Sequence, residues 1–226
     1  MAGTELLLAE EVLLVALDDE AGKTGWSFSA TAVNGALLCD LIACGAVDVD
    51  GRKKVRATGT PPAHPGLREI HELVAADRKQ RSISHWLSTL NWKFTRPDGP
   101  ASRRLVADGV LRLEESTLLG LFTYNRLPEA DPGPERALRA RLHGVLVGGA
   151  EPDAHDALLV TLLDAAHLVR PLLTEPGDRK AGTKRARAIA KGLKDNPVVK
   201  AQYEAAVAAA VTSIAVTSVV VTSGSN

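Results

Sequence analysis

Apolar positions along the chain recur mostly at helical spacing. Leu7, Leu8, Val12, Leu14, Val15 and Leu17 fall three and four residues apart, which predicts a first helix with Thr4 as its N-cap. An acidic, glycine-containing loop over 18–25 follows, then a second helix over 30–44 that Gly45 stops. Further helices are predicted over 67–78, 83–90, 102–108, 135–147, 154–173 and 185–194, and Asn196-Pro197 opens a last one. The 154–173 stretch is the most regular, with Leu158, Leu159, Leu162, Leu163, Ala166 and Val169 in place. Segments rich in proline and glycine at 59–66, 97–100 and 128–134, together with 177–184, read as the loops between.

Two places carry a hairpin signature instead. Asp50-Gly51 separates 46–49 from 52–58, a strong turn signal. A second hairpin is predicted from 110–114, a turn at Glu115-Ser116-Thr117, and 118–124. The heptapeptide before and into each hairpin is similar: Leu-Ile-Ala-Cys-Gly-Ala-Val at 41–47 and Leu-Val-Ala-Asp-Gly-Val-Leu at 105–111. Two readings stand side by side: a repeated helix–hairpin unit, as in paired winged helices, or the ordinary use of glycine where a helix ends before a strand. The apolar run over 205–221 is at the short limit for a membrane span. Thr212, Ser213, Thr217 and Ser218 interrupt it and no basic anchor follows, so a buried C-terminal helix is expected.

Composition narrows the fold class. Aromatics make up 4% of 226 residues, so the core must be built from Leu, Val, Ala and Ile. That suits packed helices, and one mainly α domain over 1–226 is expected. Basic and acidic residues balance at 27 each. A polyanion would therefore be met by a local patch, not by the whole molecule, and nucleic acid is a disfavoured partner. The bias to Ala, Arg, Val and Gly is that of a GC-rich bacterial genome. Cys39 and Cys44 stand five residues apart, about 500° around a helix, so their thiols diverge and a reducing, cytoplasmic compartment is the simpler reading. No secretion signal is read at the N-terminus.

Candidate chemistry is sparse. His64, His71, His85, His143, His155 and His167 fall into no zinc spacing, and the chain has no GxSxG, P-loop or GxGxxG motif. Asp18, Asp19 and Glu20 read as a solvated turn. Neither catalysis nor a metal or nucleotide cofactor is expected. Basic residues say more: Arg52, Lys53, Lys54 and Arg56 cluster on the first hairpin, and Arg103-Arg104 open the helix before the second. Trp26 stands near Lys23 in a glycine-containing loop and not on a helical stripe, and an aromatic beside cations suits a phosphate-bearing headgroup at a membrane interface. The rival readings are a winged-helix-like nucleic-acid contact through 52–56, and a protein–protein adaptor without a lipid site.

Taken together, several stretches resemble the Golgi phosphoprotein 3-like family. They are Leu6-Leu7-Leu8-Ala9-Glu10-Glu11-Val12-Leu13-Leu14, then 17–22, then 37–45 with the first hairpin. Trp86 and Trp92, the 105–111 signature, 157–172 and Lys184-Arg185-Ala186-Arg187 complete the match. The resemblance implies a central four-helix bundle ringed by amphipathic helices, with hairpins at the surface. It also implies a non-catalytic, cytoplasmic, peripheral membrane protein. Eukaryotic members bind phosphatidylinositol 4-phosphate at Golgi membranes and hold glycosyltransferases there, which points to an anionic lipid and the cytoplasmic tails of membrane proteins as partners. Trp26 falls within one position of the family's headgroup-contacting tryptophan, and Asn34 stands where the family has an arginine downstream of it. Arg96, Arg103 and Arg104 are the counterparts left for two further arginines. The hairpin after the signature serves oligomerisation in the family, which nominates Leu118, Leu119, Leu121 and Phe122 for contact with a second copy.

Overall fold

A computed structural model describes residues 6–17, 26–94, 99–118 and 122–195, with the side chains of 26–29, 92–94, 118, 122–124 and 194–195 excepted. In chain order the elements are α1 (Leu8–Ala16), α2 (Trp26–Ala43), β1 (Val47–Val49), β2 (Lys54–Ala57), α3 (Pro65–Ala76), β3 (Arg81–Ser82) and α4 (Ile83–Phe94). They continue with α5 (Pro100–Ala107), β4 (Glu114–Leu118), β5 (Phe122–Arg126), α6 (Gly133–Leu146), α7 (Ala154–Ala165), α8 (Val169–Leu172) and α9 (Pro176–Asp195). The chain is mainly helical, with two small antiparallel sheets, ordered β1-β2-β3 and β4-β5.

α1 is the axis of the packing. Every residue from Leu8 to Val15 is buried, glutamates included, because α2, α5, α6 and α7 all pack against it. A helix enclosed in this way has no polar face to give to water, which forces its charged residues into internal pairs. α3 lies on α5 and β2, α4 on α2, and α9 on α6, α7 and α8. The buried apolar side chains join into a cluster running from Leu8 to Leu193.

The similar heptapeptides make the same turn. Gly45 and Gly109 both take positive φ, 69° and 74°, where a Cβ would be strained. Each closes its helix with the paired bonds of a Schellman cap: Gly45 N–H to the Ile42 carbonyl and Ala46 N–H to Leu41, then Gly109 N–H to Val106 and Val110 N–H to Leu105. Cys39 is buried on α2 and Cys44 exposed just past its end, both as free thiols.

Several expectations are corrected. Leu7, not Thr4, is the N-cap of α1, and the capping acceptors come from Glu10 and from Asp40 on α2. The second hairpin has no turn at the expected place: Glu115, Ser116 and Thr117 are strand residues paired with Asn125, Tyr124 and Thr123, and 119–121 lie outside the described residues. Ladder pairing of 114–118 with 122–126 overrides the turn preference of Ser116. The 154–173 helix breaks after Ala165, where His167 takes φ 60° and closes another Schellman cap. The 177–184 segment is helical, part of α9: Gly182 is a packing contact against Leu173 and not a breaker, and Gly177 lies in the exposed first turn. β3 was not anticipated; its two residues pair with Lys54 and Val55. The 18–25 loop, the helix from Asn196-Pro197 and the 205–221 run lie outside the described residues.

Candidate functional site

The polar chemistry of the interior gathers at the first turn of α1. Its leading N–H groups have no partner within the helix, and Leu7 has no side chain to offer them. Asp40 reaches across from α2 and accepts from Leu8 N–H at 3.1 Å and Ala9 N–H at 3.0 Å. Glu10 folds back to accept from Leu7 N–H at 2.8 Å. Burial pushes the Asp40 carboxyl up to about 7, against the pull of the two amide hydrogen bonds.

Glu10 has no exposed surface and is held from two sides. Arg104 on α5 grips both carboxylate oxygens, its Nε donating to Oε1 at 2.7 Å. His64 contributes Nε2 at 3.2 Å, while its Nδ1 accepts from Gly66 and Leu67 N–H and so caps α3. That assignment places the ring proton on Nε2. Burial raises the Glu10 carboxyl, but the bonds from Arg104, His64 and Leu7 outweigh it and hold the group below its ordinary range. Glu11 faces the opposite way and accepts from Arg141 on α6 and His155 on α7, each at 2.5 Å. The hydrogen bond to Glu11 raises His155 above its ordinary value. Arg141 Nε also lies 3.1 Å from Asp156. The first turn of α1 thus fastens five surrounding elements: α3 and α5 through Glu10, α6 and α7 through Glu11, and α2 through the Asp40 cap. Glu10, sealed and fully engaged, is not placed to exchange a proton with a bound molecule.

The residues nominated for a lipid headgroup stand as follows. Trp26 is not in a loop but is the first residue of α2, which starts four residues before the expected position 30, and its side chain, like all of Arg96, lies outside the described residues. Asn34 is 2% exposed and faces inward: its amide donates to Asn91 on α4 at 2.7 Å, and Asn91 donates in turn to Thr31 at 3.3 Å. It joins α2 to α4 instead of presenting a donor to solvent. Arg104 is directed at Glu10. Arg103, one residue earlier, turns outward to Glu69 on α3, in a pair whose side chains are 51% and 42% exposed. Of the described three, Arg103 therefore has a surface position. For the oligomerisation residues, Leu118 ends β4 and Phe122 begins β5 directly opposite, with Leu119 and Leu121 outside the described residues.

Sequence reasoning missed the internal network, although its parts were visible. His64 and His155 have no zinc spacing in the sequence, and among the described residues no group of three candidate ligands could hold a metal ion. Both turn out to partner carboxylates. A cavity of about 300 Å³ between the start of α7 and α9, lined by Asp153, Ala157, Arg185, Ile189 and Leu193 among others, includes none of the nominated headgroup residues. Among the described residues no helix is long and apolar enough to cross a membrane.

The family model for Golgi phosphoprotein 3 (GPP34) matches residues 8–213 of the chain. Among curated proteins none matches it.

Proposed function

The chain belongs to the Golgi phosphoprotein 3 family, and on that premise we propose that it is a peripheral membrane protein that binds an anionic phosphoinositide headgroup, of the phosphatidylinositol 4-phosphate type, without transforming it. The family match carries the reading. It takes in α2, which begins at Trp26, and α5, which bears Arg103 and Arg104.

Within this reading the two arginines have different duties. The Arg103–Glu69 pair is exposed, and such pairs contribute about 0–1 kcal/mol, so a phosphate can displace Glu69 at little cost. Arg104 is committed to a carboxylate that water does not reach and acts as the anchor that sets α5, and with it Arg103, in place. Trp26 would add apolar burial at the interface. Cytoplasmic tails of membrane proteins and a second copy of the chain are the further partners of this reading. The second copy would meet the β4–β5 hairpin, and changing Leu119→Ser with Phe122→Ser should lower the mass seen by light scattering.

Co-sedimentation with phosphatidylcholine vesicles carrying phosphatidylinositol 4-phosphate tests the headgroup reading. Trp26→Ala should weaken binding at every salt concentration. Arg103→Gln should weaken it mainly at low salt, because exposed charges are screened over about 10 Å at 0.1 M. Equal binding to vesicles with and without the phosphoinositide would remove the headgroup reading and favour the adaptor.

A further inference from the structure

Gly182, Ala186, Ile189 and Leu193 form the buried side of α9 and seat it on α6, α7 and α8. The seat is close: a Cβ at Gly182 would lie 2.3 Å from Leu173 Cδ1. Lys180, Lys184, Arg187 and Lys191 recur at the same spacing in the opposite phase, and all four are exposed. At 100° per residue they fall within an arc of about 60°, roughly opposite the buried side, along about 16 Å of helix.

α9 carries seven basic residues against two acidic ones in a chain whose net charge is zero. Some of the charge is used locally: Arg185 pairs with Glu151 at 3.0 Å, Arg179 donates to the Leu173 carbonyl at 2.7 Å, and Asp178 meets His143 at 3.5 Å. The four residues of the row are in no ion pair among the described residues, although Arg187 lies in the field of Asp164 on α7. Like charges three and four apart on a helix repel one another, so the row does nothing for the stability of α9.

We propose that this row is a membrane-docking face: a second contact, selective for negative charge but not for a particular headgroup, that sets the protein's orientation on a bilayer of anionic glycerophospholipid. It rests on the lipid-surface reading above and adds a site to it. A bilayer is flat and can meet all four cations at once. Ala181, Thr183, Ala188 and Gly192 stand between and beside them, so the face has no Asn, Gln or aromatic ring with which to read base edges or stack on bases. No large apolar residue interrupts the row either. The contact is electrostatic at the headgroup level, and salt weakens it.

The test uses the full chain and two vesicle types: phosphatidylcholine with phosphatidylserine and no phosphoinositide, and phosphatidylcholine with phosphatidylinositol 4-phosphate alone. Each single Gln substitution in the row should weaken binding to the phosphatidylserine vesicles about fivefold at low salt, and all four together more than a hundredfold. Lys180→Arg with Lys184→Arg and Lys191→Arg should keep it. The quadruple Gln variant should weaken binding to the phosphoinositide vesicles too, but by a smaller factor because the headgroup site is intact, and its far-UV circular dichroism should match the parent. Binding to phosphatidylserine within twofold of the parent overturns the docking face, as does binding of the parent to duplex DNA but to neither vesicle. Row-dependent binding that is equal on phosphatidylserine and phosphoinositide vesicles of matched surface charge supports the docking face and removes the headgroup reading instead.

Discussion

Arg103 and Arg104 are sequence neighbours, but one meets a glutamate in solvent and the other a glutamate without exposed surface. Removing one partner of a buried pair strands the other charge, which costs about 3–5 kcal/mol, whereas an exposed pair contributes about 0–1. Arg104→Met should therefore lower the unfolding free energy in urea by about 3 kcal/mol or more, and Arg103→Met by less than about 1. Arg104→Lys should rescue little, since an ammonium cannot make both guanidinium bonds to Glu10. Equal losses for the two Met variants would mean that Glu10 is satisfied without Arg104. The sequence shows two adjacent arginines and two adjacent glutamates but not which of them meet: the Arg104–Glu10 contact spans 94 positions. Asn34 was similarly ambiguous, since an asparagine in a helical run fits a surface donor and an interhelical bond equally well.

Elements were legible where one local rule sufficed. The glycine-closed helices α2 and α5 and the Asp50-Gly51 hairpin are each set by a turn a few residues long, and all were expected close to where they stand. Elements that depend on tertiary contact were misread. α9 begins nine residues before the expected position 185, because Gly177 and Gly182 suggest a loop when the packing of Gly182 against Leu173 and Leu146 is not in view. β3 consists of two residues and exists through its pairing with β2. Glycines of this second kind make a matched test. At Gly66, in the first turn of α3, a Cβ would sit 2.4 Å from the Pro100 carbonyl oxygen at the start of α5. That neighbour is backbone and cannot rotate away, so Gly66→Ala should cost about 1–3 kcal/mol by pushing α3 off α5. Gly144 on α6 has nothing within 4 Å of its would-be Cβ, and Gly144→Ala should gain up to about 1 kcal/mol from helix propensity. Thermal melts of the two variants should move in opposite directions; a shared direction would refute the close approach at Gly66.

For the molecule as a whole, burying charge around α1 gives folding a pH optimum whose two limbs have different owners. Glu10 is depressed below its ordinary 4.5, so its contribution is present above that value and is lost as pH falls through the folded pKa. Asp40 is shifted the other way, from 3.8 to about 7. Between those values the folded protein holds a proton that the unfolded chain has released, so stability falls as pH rises across the interval. His155, raised above 6.5 by Glu11, contributes stability that is present below 6.5 and is lost as pH rises through its folded pKa. Burial likewise raises Asp156 and Asp164, which adds to the alkaline limb. The unfolding free energy in urea should therefore be greatest at about pH 4–4.5, where the Glu10 gain is nearly complete and the Asp40 loss has barely begun, and decline towards pH 8. Asp40→Asn separates the contributions. Below pH 4 the parent carboxyl is protonated and resembles an amide, so the variant should come closest to the parent there. Across pH 4–7 it should lose most of the slope, and the part of the decline above pH 6.5 should survive because His155 is untouched. His155→Gln should do the reverse, flattening the upper part and leaving the lower one. A parent whose stability climbs steadily from pH 5 to pH 8 would show that the carboxyl at Asp40 is ionised throughout, with its two amide hydrogen bonds prevailing over the cost of burial.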